Sequence, residues 1–457
     1  MFNKLAMRED RIGYGLKQVE GTVYEKVLRI AAIVSFSLMI VAQLAILILF
    51  DGKQISDANN YLQLAKGCAE NGLWYPSAEH IHDSYLFGNG LVNMAALVLR
   101  ITSNLRVLFC INILFVQMTL WSCLYIVKKI FNRPTINYWF AILFCLLNTF
   151  WSEVVCLRTE IPFNAFAYAG IAVMFSDKKW SYVVGGILLA LANWIRPIAL
   201  AFLIGAVCVV ALRSKKVQHV IGLIGGYVAI IILIGSISYM SCGHFVYQAS
   251  TFGYNLIMSA NDEADGSYMV VVNEGQAGYI DPEQKKDMTF DEIDKYYTKL
   301  SLDWIKDHPL DYIKQFPAKL FFLYGTETYS GSVYFNNTKD TGGIQYIKSV
   351  VNKITGKSDT PIQIGDVLIV LNQAWYMMIC VMFVVGVVLL VKKKQWRSMI
   401  PLWLCMLCGT GITILVVGGA RYHCPYVPIM MVCAAFGWES VWAGKPKTPT
   451  KSVEVQM

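Results

Sequence analysis

Charge is scarce in this chain. Only 15% of its 457 residues are Asp, Glu, Lys or Arg, where soluble domains carry about a quarter. With 56% hydrophobic residues and a mean hydropathy of +0.48, that shortage excludes an ordinary soluble domain. Internal repeats and low-complexity tracts are also missing, which argues against a solenoid or array. The twelve cysteines lie mostly inside apolar runs. They read as packed membrane-helix residues and define neither a disulfide framework nor a zinc site. Residues 1–27 are polar with mixed charge and lack the pattern of a cleavable signal peptide. The first apolar run, from about Ala31 to Phe50, is therefore expected to remain as an uncleaved anchor. The net charge of +8 needs no nucleic-acid partner, because Lys and Arg on cytoplasmic loops are its expected source.

What the chain has is repeated long apolar runs. They cover approximately 29–50, 106–127, 135–152, 161–176, 181–196, 198–212, 217–240, 366–391, 398–417 and 423–442, and runs of roughly 18 or more residues read as membrane-spanning helices. Residues 85–103 are apolar too, but Asn89, Asn93 and Arg100 interrupt them. Whether this segment crosses inverts the sidedness of everything after it. The basic clusters KKIFNR at 128–133, DKK at 177–179, RSKK at 213–216, KKKQWR at 392–397 and the tail from Lys445 decide the matter. If 85–103 does not cross, all of them share one side with the basic N-terminus, as the positive-inside rule favours. The segment is then an interfacial or re-entrant helix in the headgroup plane.

The expectation is an all-α polytopic membrane protein with about ten spans, juxtamembrane helices in the first outer loop and one long outer loop. A cytoplasmic N-terminal segment covers 1–28. A transmembrane module covers 29–240 and includes a first outer loop at 51–105. The extracytoplasmic loop region covers 241–365, C-terminal spans cover 366–443, and 444–457 is a cytoplasmic tail. The loop 241–365 holds sixteen of the thirty-one acidic residues. Within it, Thr289 with Glu292 three residues on forms a capping box. Pro309 is expected at a first helical position. Leu310, Ile313, Phe316 and Leu320 fall at helical spacing, as for a helix on the membrane or core surface.

With this sidedness most basic residues are cytoplasmic, yet Arg158, Arg196 and Arg421 stand at the outer ends of spans, and His423 and Lys319 are placed similarly. Charge at a helix end near lipid is costly unless paired or hydrated. Cations gathered on one outer face call for an anion. It is either the protein's own carboxylates, Asp57, Glu153 and Glu160 among them, or a lipid phosphate at headgroup level. Arg196 precedes Pro197, and Arg421 lies in the tight turn GGARYHCPYVP, so both guanidinium forks are held at helix ends where a phosphate could meet them. The bland alternative is snorkelling with local ion pairs. Asp57 follows the first span in FDGKQISDANNYLQLAKG. Its bland reading is a cap, with Ser56 or Asp57 capping the helix through Tyr61 and Leu64. Its sharper reading is a carboxylate kept ionised among cations and able to accept a proton from a hydroxyl.

Six stretches in order resemble the GT-C superfamily of polytopic glycosyltransferases that use polyprenyl-phosphate sugars. The nearest resemblance is to its family 39-like branch, with the protein O-mannosyltransferases and aminoarabinose transferases. SDANNYLQLAKG is similar to the acidic motif of the first loop, and LRTEIPFNAF at 157–166 to the second outer loop. NWIRPIAL at 193–200 resembles the Arg-Pro element. FGYNLIMSANDEADG at 252–266 and DHPLDYIKQFPAKLFF, with Lys319, resemble the long outer loop. GGARYHCPYVPIMM resembles the terminal Arg-Tyr-His/Pro motif. Where some relatives carry two adjacent acids, Asp57 stands alone between Ser56 and Ala58, which leaves Glu160 as the second acid.

The resemblance implies an inverting transfer of a sugar from a polyprenyl-phosphate donor to a glycan, lipid or protein acceptor at the extracytoplasmic face. Asp57 would be the general base, and Glu160 would position the acceptor or a divalent ion. Arg421, Arg196 and Lys319, backed by Arg158, Tyr422 and His423, would bind the donor. Tyr61, Trp74 and Tyr75 would either stack on sugar or serve as interface aromatics. No metal site is expected, and Mg or Mn is the one cofactor left open. The expected place is a multi-pass integral position in a bacterial plasma (inner) membrane, with the site facing outward and membrane lipid as a partner. The competing classes are a polyprenyl-linked lipid transporter or flippase and a non-catalytic envelope-assembly partner. Transporters usually show repeats and ionisable groups near the bilayer midplane, and this sequence shows neither.

Overall fold

The structure is a computed structural model that describes residues 23–49, 52–176, 178–328 and 344–443. Most of the N-terminal segment, the tail 444–457, Asp177 of one basic cluster, Phe50 and Asp51, and residues 329–343 of the long loop lie outside the described residues. Among the described residues the fold is all-helical, and its one β-type contact is an isolated bridge between Leu86 and Ser250.

The principal helices are α1 (Val23–Leu49), α2 (Asp57–Glu70), α3 (Asn89–Leu99), α4 (Leu105–Phe131), α5 (Pro134–Leu146), α6 (Glu160–Met174) and α7 (Lys179–Ile195). They continue with α8 (Ala199–Arg213), α9 (Val217–Cys242), α10 (Phe290–Asp307), α11 (Phe316–Tyr324), α12 (Ile364–Lys392), α13 (Ile400–Val416) and α14 (Val427–Trp442). Among the described residues five helices are long and apolar enough to cross a membrane: α1, α4, α9, α12, and α13 together with the short turn before it. A sixth is added if α5 and the segment Thr149–Val155, bent from it by 62°, are one broken span. The chain thus has the long apolar helices of an integral membrane protein. The helices at the other expected spans, α6, α7, α8 and α14, are shorter, with 15, 17, 15 and 16 residues.

Burial patterns show how the bundle is built. On α1 the buried positions Leu28, Ala32, Ser35, Met39 and Gln43 form one stripe. The opposite face shows Val27, Ile30, Val34, Leu38 and Val41 to the outside. An outer face this apolar, on a helix whose buried stripe includes the polar Ser35 and Gln43, suits lipid. Helix α6 is buried on nearly every side and stands at the centre of the bundle. Helices α7 and α9 cross closely: a Cβ at Gly186 would stand 2.0 Å from the Leu223 carbonyl oxygen, and one at Gly226 2.3 Å from that of Val183. All twelve cysteines are free. Cys405 and Cys408, spaced as a C-x-x-C pair, sit on the apolar helix α13.

The two ends of the bundle differ. At one end Tyr24 of α1 donates to Glu439 of α14 (3.0 Å), and Trp139 of α5 donates to Tyr24 (3.0 Å). Lys393, just past α12, reaches Ser440 (3.0 Å), and Phe131 of α4 stacks on Phe436. The basic clusters that follow α4 and α12 therefore gather at this end. The opposite end carries the candidate site.

Segment 85–103 contributes only α3. Its 11 residues span about 16 Å at 1.5 Å per residue, half of a hydrocarbon core of about 30 Å. The polar residues that interrupt its sequence are what dock it. Asn93 bonds both backbone groups of Tyr75, Asn89 donates to the Gln248 carbonyl, and Arg100 donates to the carbonyls of Cys68 and Leu73. Gly88 starts the helix at φ +62°, and a Cβ there would strike the Tyr61 ring of α2 at 2.3 Å. Both constraints call for glycine.

In the long loop Thr289 and Glu292 form the expected capping box on α10, and Pro309 opens a short helix, Pro309–Lys314. The segment after Pro309 is two helices and not one: the chain breaks at Gln315, and α11 resumes with Pro317 in its first turn. Leu310, Ile313 and Leu320 are exposed on the outside of this pair. The long loop is tied to the first loop by the Leu86–Ser250 bridge and by the Phe290 amide on the Ile81 carbonyl (2.8 Å).

Candidate functional site

Four charged side chains from four separate parts of the chain meet at the second end of the bundle. Asp57 is the first residue of α2, Glu160 the first of α6, Arg196 follows the end of α7, and Arg421 lies in the turn Ala420–His423 between α13 and α14. Arg421 Nη1 is 2.6 Å from Asp57 Oδ2, and its Nε is 2.9 Å from Glu160 Oε1. Arg196 Nη1 approaches the same Glu160 oxygen at 2.6 Å. Two carboxylates and two guanidinium groups thus balance in charge. Glu160 is buried, while the Asp57 side chain is 36% exposed and is the open member of the set.

Asp57 is not the cap of its helix. Ser56 occupies the cap position with φ 55° and without a side-chain cap bond. A non-glycine residue there is uncommon, and such conformations cost on the order of 1–3 kcal/mol and cluster at functional sites. The carboxylate of Asp57 is turned instead to Arg421. Each of Arg158, Arg196 and Arg421 contacts a carboxylate of the protein.

The other expected residues are placed around this centre. Tyr422 lies beneath it, with both Arg196 and Arg421 over its ring at 5.5 and 5.7 Å. Arg158 is buried and its Nη1 donates to Glu153 Oε1 at 2.9 Å. His423 is buried and its Nε2 meets Glu327. Glu327 also accepts from Thr149, and its backbone is held by Asn372 and Gln373. A small enclosed cavity of about 20 Å³ separates these residues from Glu160 and Arg421, roughly room for one water. Thr149 and Glu327 were not readable as site residues. They lie far apart in sequence, and only the fold brings them under the Arg421 turn.

Lys319, on α11, is fully buried. Its Nζ has no hydrogen-bond partner among the described residues and stands 4.5 Å from the Tyr312 ring centre. Burial pulls its ammonium down from the usual lysine value to about 8. Its backbone lies against Gly418, two residues before the turn that carries Arg421.

Of the three expected aromatics, Tyr61 and Tyr75 are buried in the loop core, and Trp74 stacks on Trp194 at 5.4 Å. Tyr61 nevertheless stays within the field of Asp57, Arg421, Glu160 and Arg196, and further rings join it there. Tyr85 packs on Tyr254 at 4.7 Å and on Phe87 at 5.1 Å. Burial raises the phenols of Tyr85, Tyr254 (to about 12) and Tyr268, and each also feels the Asp57 carboxylate. Their signal in the sequence was only that of aromatic residues in a polar loop.

Arg421 bridges Asp57 and Glu160, and no group of three or more His, Cys, Asp or Glu is placed to hold a metal among the described residues. No family model matches the chain, and no curated protein matches it.

Proposed function

We propose that the chain is an inverting glycosyltransferase that moves a sugar from a polyprenyl-phosphate donor to an acceptor hydroxyl or amine at the outer face of a bacterial plasma membrane. The observation that carries this reading is the contact of Asp57 with Arg421: a half-open carboxylate stands beside a guanidinium that is fixed in a tight turn. In the reaction the acceptor heteroatom gives its proton to Asp57 and bonds to the anomeric carbon. The bond from that carbon to the phosphate oxygen breaks on the opposite face, and the electron pair leaves with the lipid phosphate. Configuration inverts. Asp57 contributes as a general base, typically worth about 10²–10⁴-fold. Fixed cations at the developing phosphate charge are often the larger contribution. Arg421 and Arg196 are already balanced by Asp57 and Glu160. Lys319, with no carboxylate against it among the described residues, is therefore the cation whose charge a phosphate would answer. Ten spans complete the reading: helices of 15–17 residues reach only about 22–26 Å, so they would cross where the bilayer thins locally or where flanking residues complete the span.

The test is a cell-free assay with purified protein and a radiolabelled polyprenyl-phosphate sugar. Asp57→Asn is expected to lower transfer at least 10²-fold while donor binding stays, and Arg421→Ala is expected to weaken donor use. Near-normal turnover by the Asp57 variant sinks the base assignment. Donor moved across vesicles without sugar transfer would make the protein a lipid transporter, and neither activity would leave an assembly partner.

A further inference from the structure

A groove of about 490 Å³ runs along the outward side of α2, within the size range of ligand sites. It begins beside the candidate site. Asn60, which lines it, is one helical turn from Asp57, and Tyr85, which also lines it, is one of the phenols that feel the Asp57 carboxylate. Glu79 and His80 of the turn Ala78–His80, and Asp83, also line it. Two features of the lining select a ligand. Amide, hydroxyl and phenol groups share the lining with the flat rings of Tyr85 and Phe87, which suits a polyhydroxylated ring with one polar edge and one apolar face. Its full charges are the carboxylates of Glu79 and Asp83, with no Lys or Arg in the wall and His80 the one side chain able to become cationic. Arg100 donates to the carbonyls of the lining residues Cys68 and Leu73, but its side chain does not line the groove, so an anion entering here would face Glu79 and Asp83 first, in contrast to the cation-rich centre next door.

We infer that this groove is the acceptor subsite and that it takes a neutral or amine-bearing saccharide, not a phosphorylated or sulfated one. The inference rests on the transferase reading for the word acceptor, and on the groove alone for the class of ligand. The saccharide would lie along α2 with one hydroxyl or amine delivered to Asp57. Rings near Asp57 orient it, and Glu79 and Asp83 set the charge that is tolerated.

The experiment is equilibrium binding to the purified full-length protein in detergent, with no donor present. The fluorescently labelled probes are chitotetraose, its fully de-N-acetylated tetra-amine and a heparin tetrasaccharide. The neutral or the amine probe should bind at least tenfold more tightly than the sulfated one. Gln63→Trp and Asn60→Trp, at exposed positions on the groove wall, should remove binding without unfolding the chain, as thermal melting would report. Glu79→Gln with Asp83→Asn should erase the preference for amine over sulfate. Failure of both neutral and amine probes, preference for the sulfated probe, or binding indifferent to the tryptophan variants would overturn the inference. If the saccharide binds as described but no sugar is ever transferred, the groove stands and the transferase reading falls.

Discussion

Arg158 and Arg421 are both arginines at the mouth of the bundle, but their surroundings give them different work. Arg158 is sealed from solvent and its partner Glu153 is buried with it. Removing one member of such a pair leaves an uncompensated buried charge and costs about 3–5 kcal/mol. Arg158→Met is therefore expected to lower the thermal unfolding midpoint strongly, and Arg158→Met with Glu153→Leu to recover much of the loss. A variant that melts like the parent but no longer uses donor would place Arg158 in the donor site instead. Lys319 calls for a pH measurement. Its folded value of about 8 lies below the ordinary lysine value of 10.5. The unfolded chain thus holds the extra proton between those two values, and stability rises with pH across that window. The rise amounts to roughly 3 kcal/mol at most. It should vanish in Lys319→Met when melting is followed from pH 7 to 10.5. Donor use should fall in the parent as pH rises through about 8, where the ammonium is lost. At this scale the sequence exposed the cations, because arginine at the end of an apolar run is conspicuous. It did not show which carboxylate each one meets, since pairs such as Asp57 with Arg421 are a property of the folded chain alone.

At the scale of elements, the interruptions in the apolar pattern carry most of the information. Asn89, Asn93 and Arg100 mark α3 as a helix that needs polar partners, and those partners proved to be backbone groups of the same outer loop and of Gln248. That much was legible, because an amide within an apolar run must be satisfied somewhere. The bend between α5 and the turns after it, and the break at Gln315, were not legible, because apolar periodicity continues across both. Close crossings were hidden as well, although glycine supplies them. At Gly186 of α7 any side chain would strike the Leu223 carbonyl of α9, and backbone cannot yield as a side-chain tip can. Gly186→Val is therefore expected to separate the two helices at a cost of about 1–3 kcal/mol or more, read as a lower melting midpoint in detergent. Gly225→Ala, on the exposed side of α9, meets nothing within 4 Å and should melt as the parent does. Equal melting of both variants would mean that the crossing is looser than drawn.

The whole molecule is a bundle with two unlike ends, and its orientation follows from which end holds which charge. Tyr24, Glu439 and Lys393 meet at one end, so the start of α1 and the ends of α12 and α14 lie together there. Asp57, Glu160, Arg196 and Arg421 meet at the other. Because α3 is too short to cross, the chain between α1 and α4 returns to the end it left. The basic cluster after α4 then falls beside Glu439, with Phe131 on Phe436 as the physical link. Lys and Arg favour the cytoplasmic side, which would turn the acid–arginine cluster outward. In cells carrying a variant stripped of its own cysteines, Ile130→Cys should resist a membrane-impermeant maleimide until the membrane is permeabilised. Lys286→Cys, exposed in the long loop, should react at once. Reaction at 130 with protection at 286 would invert the molecule and put Asp57 on the cytoplasmic face, where a nucleotide-linked donor would replace a lipid-linked one in the reading of the site.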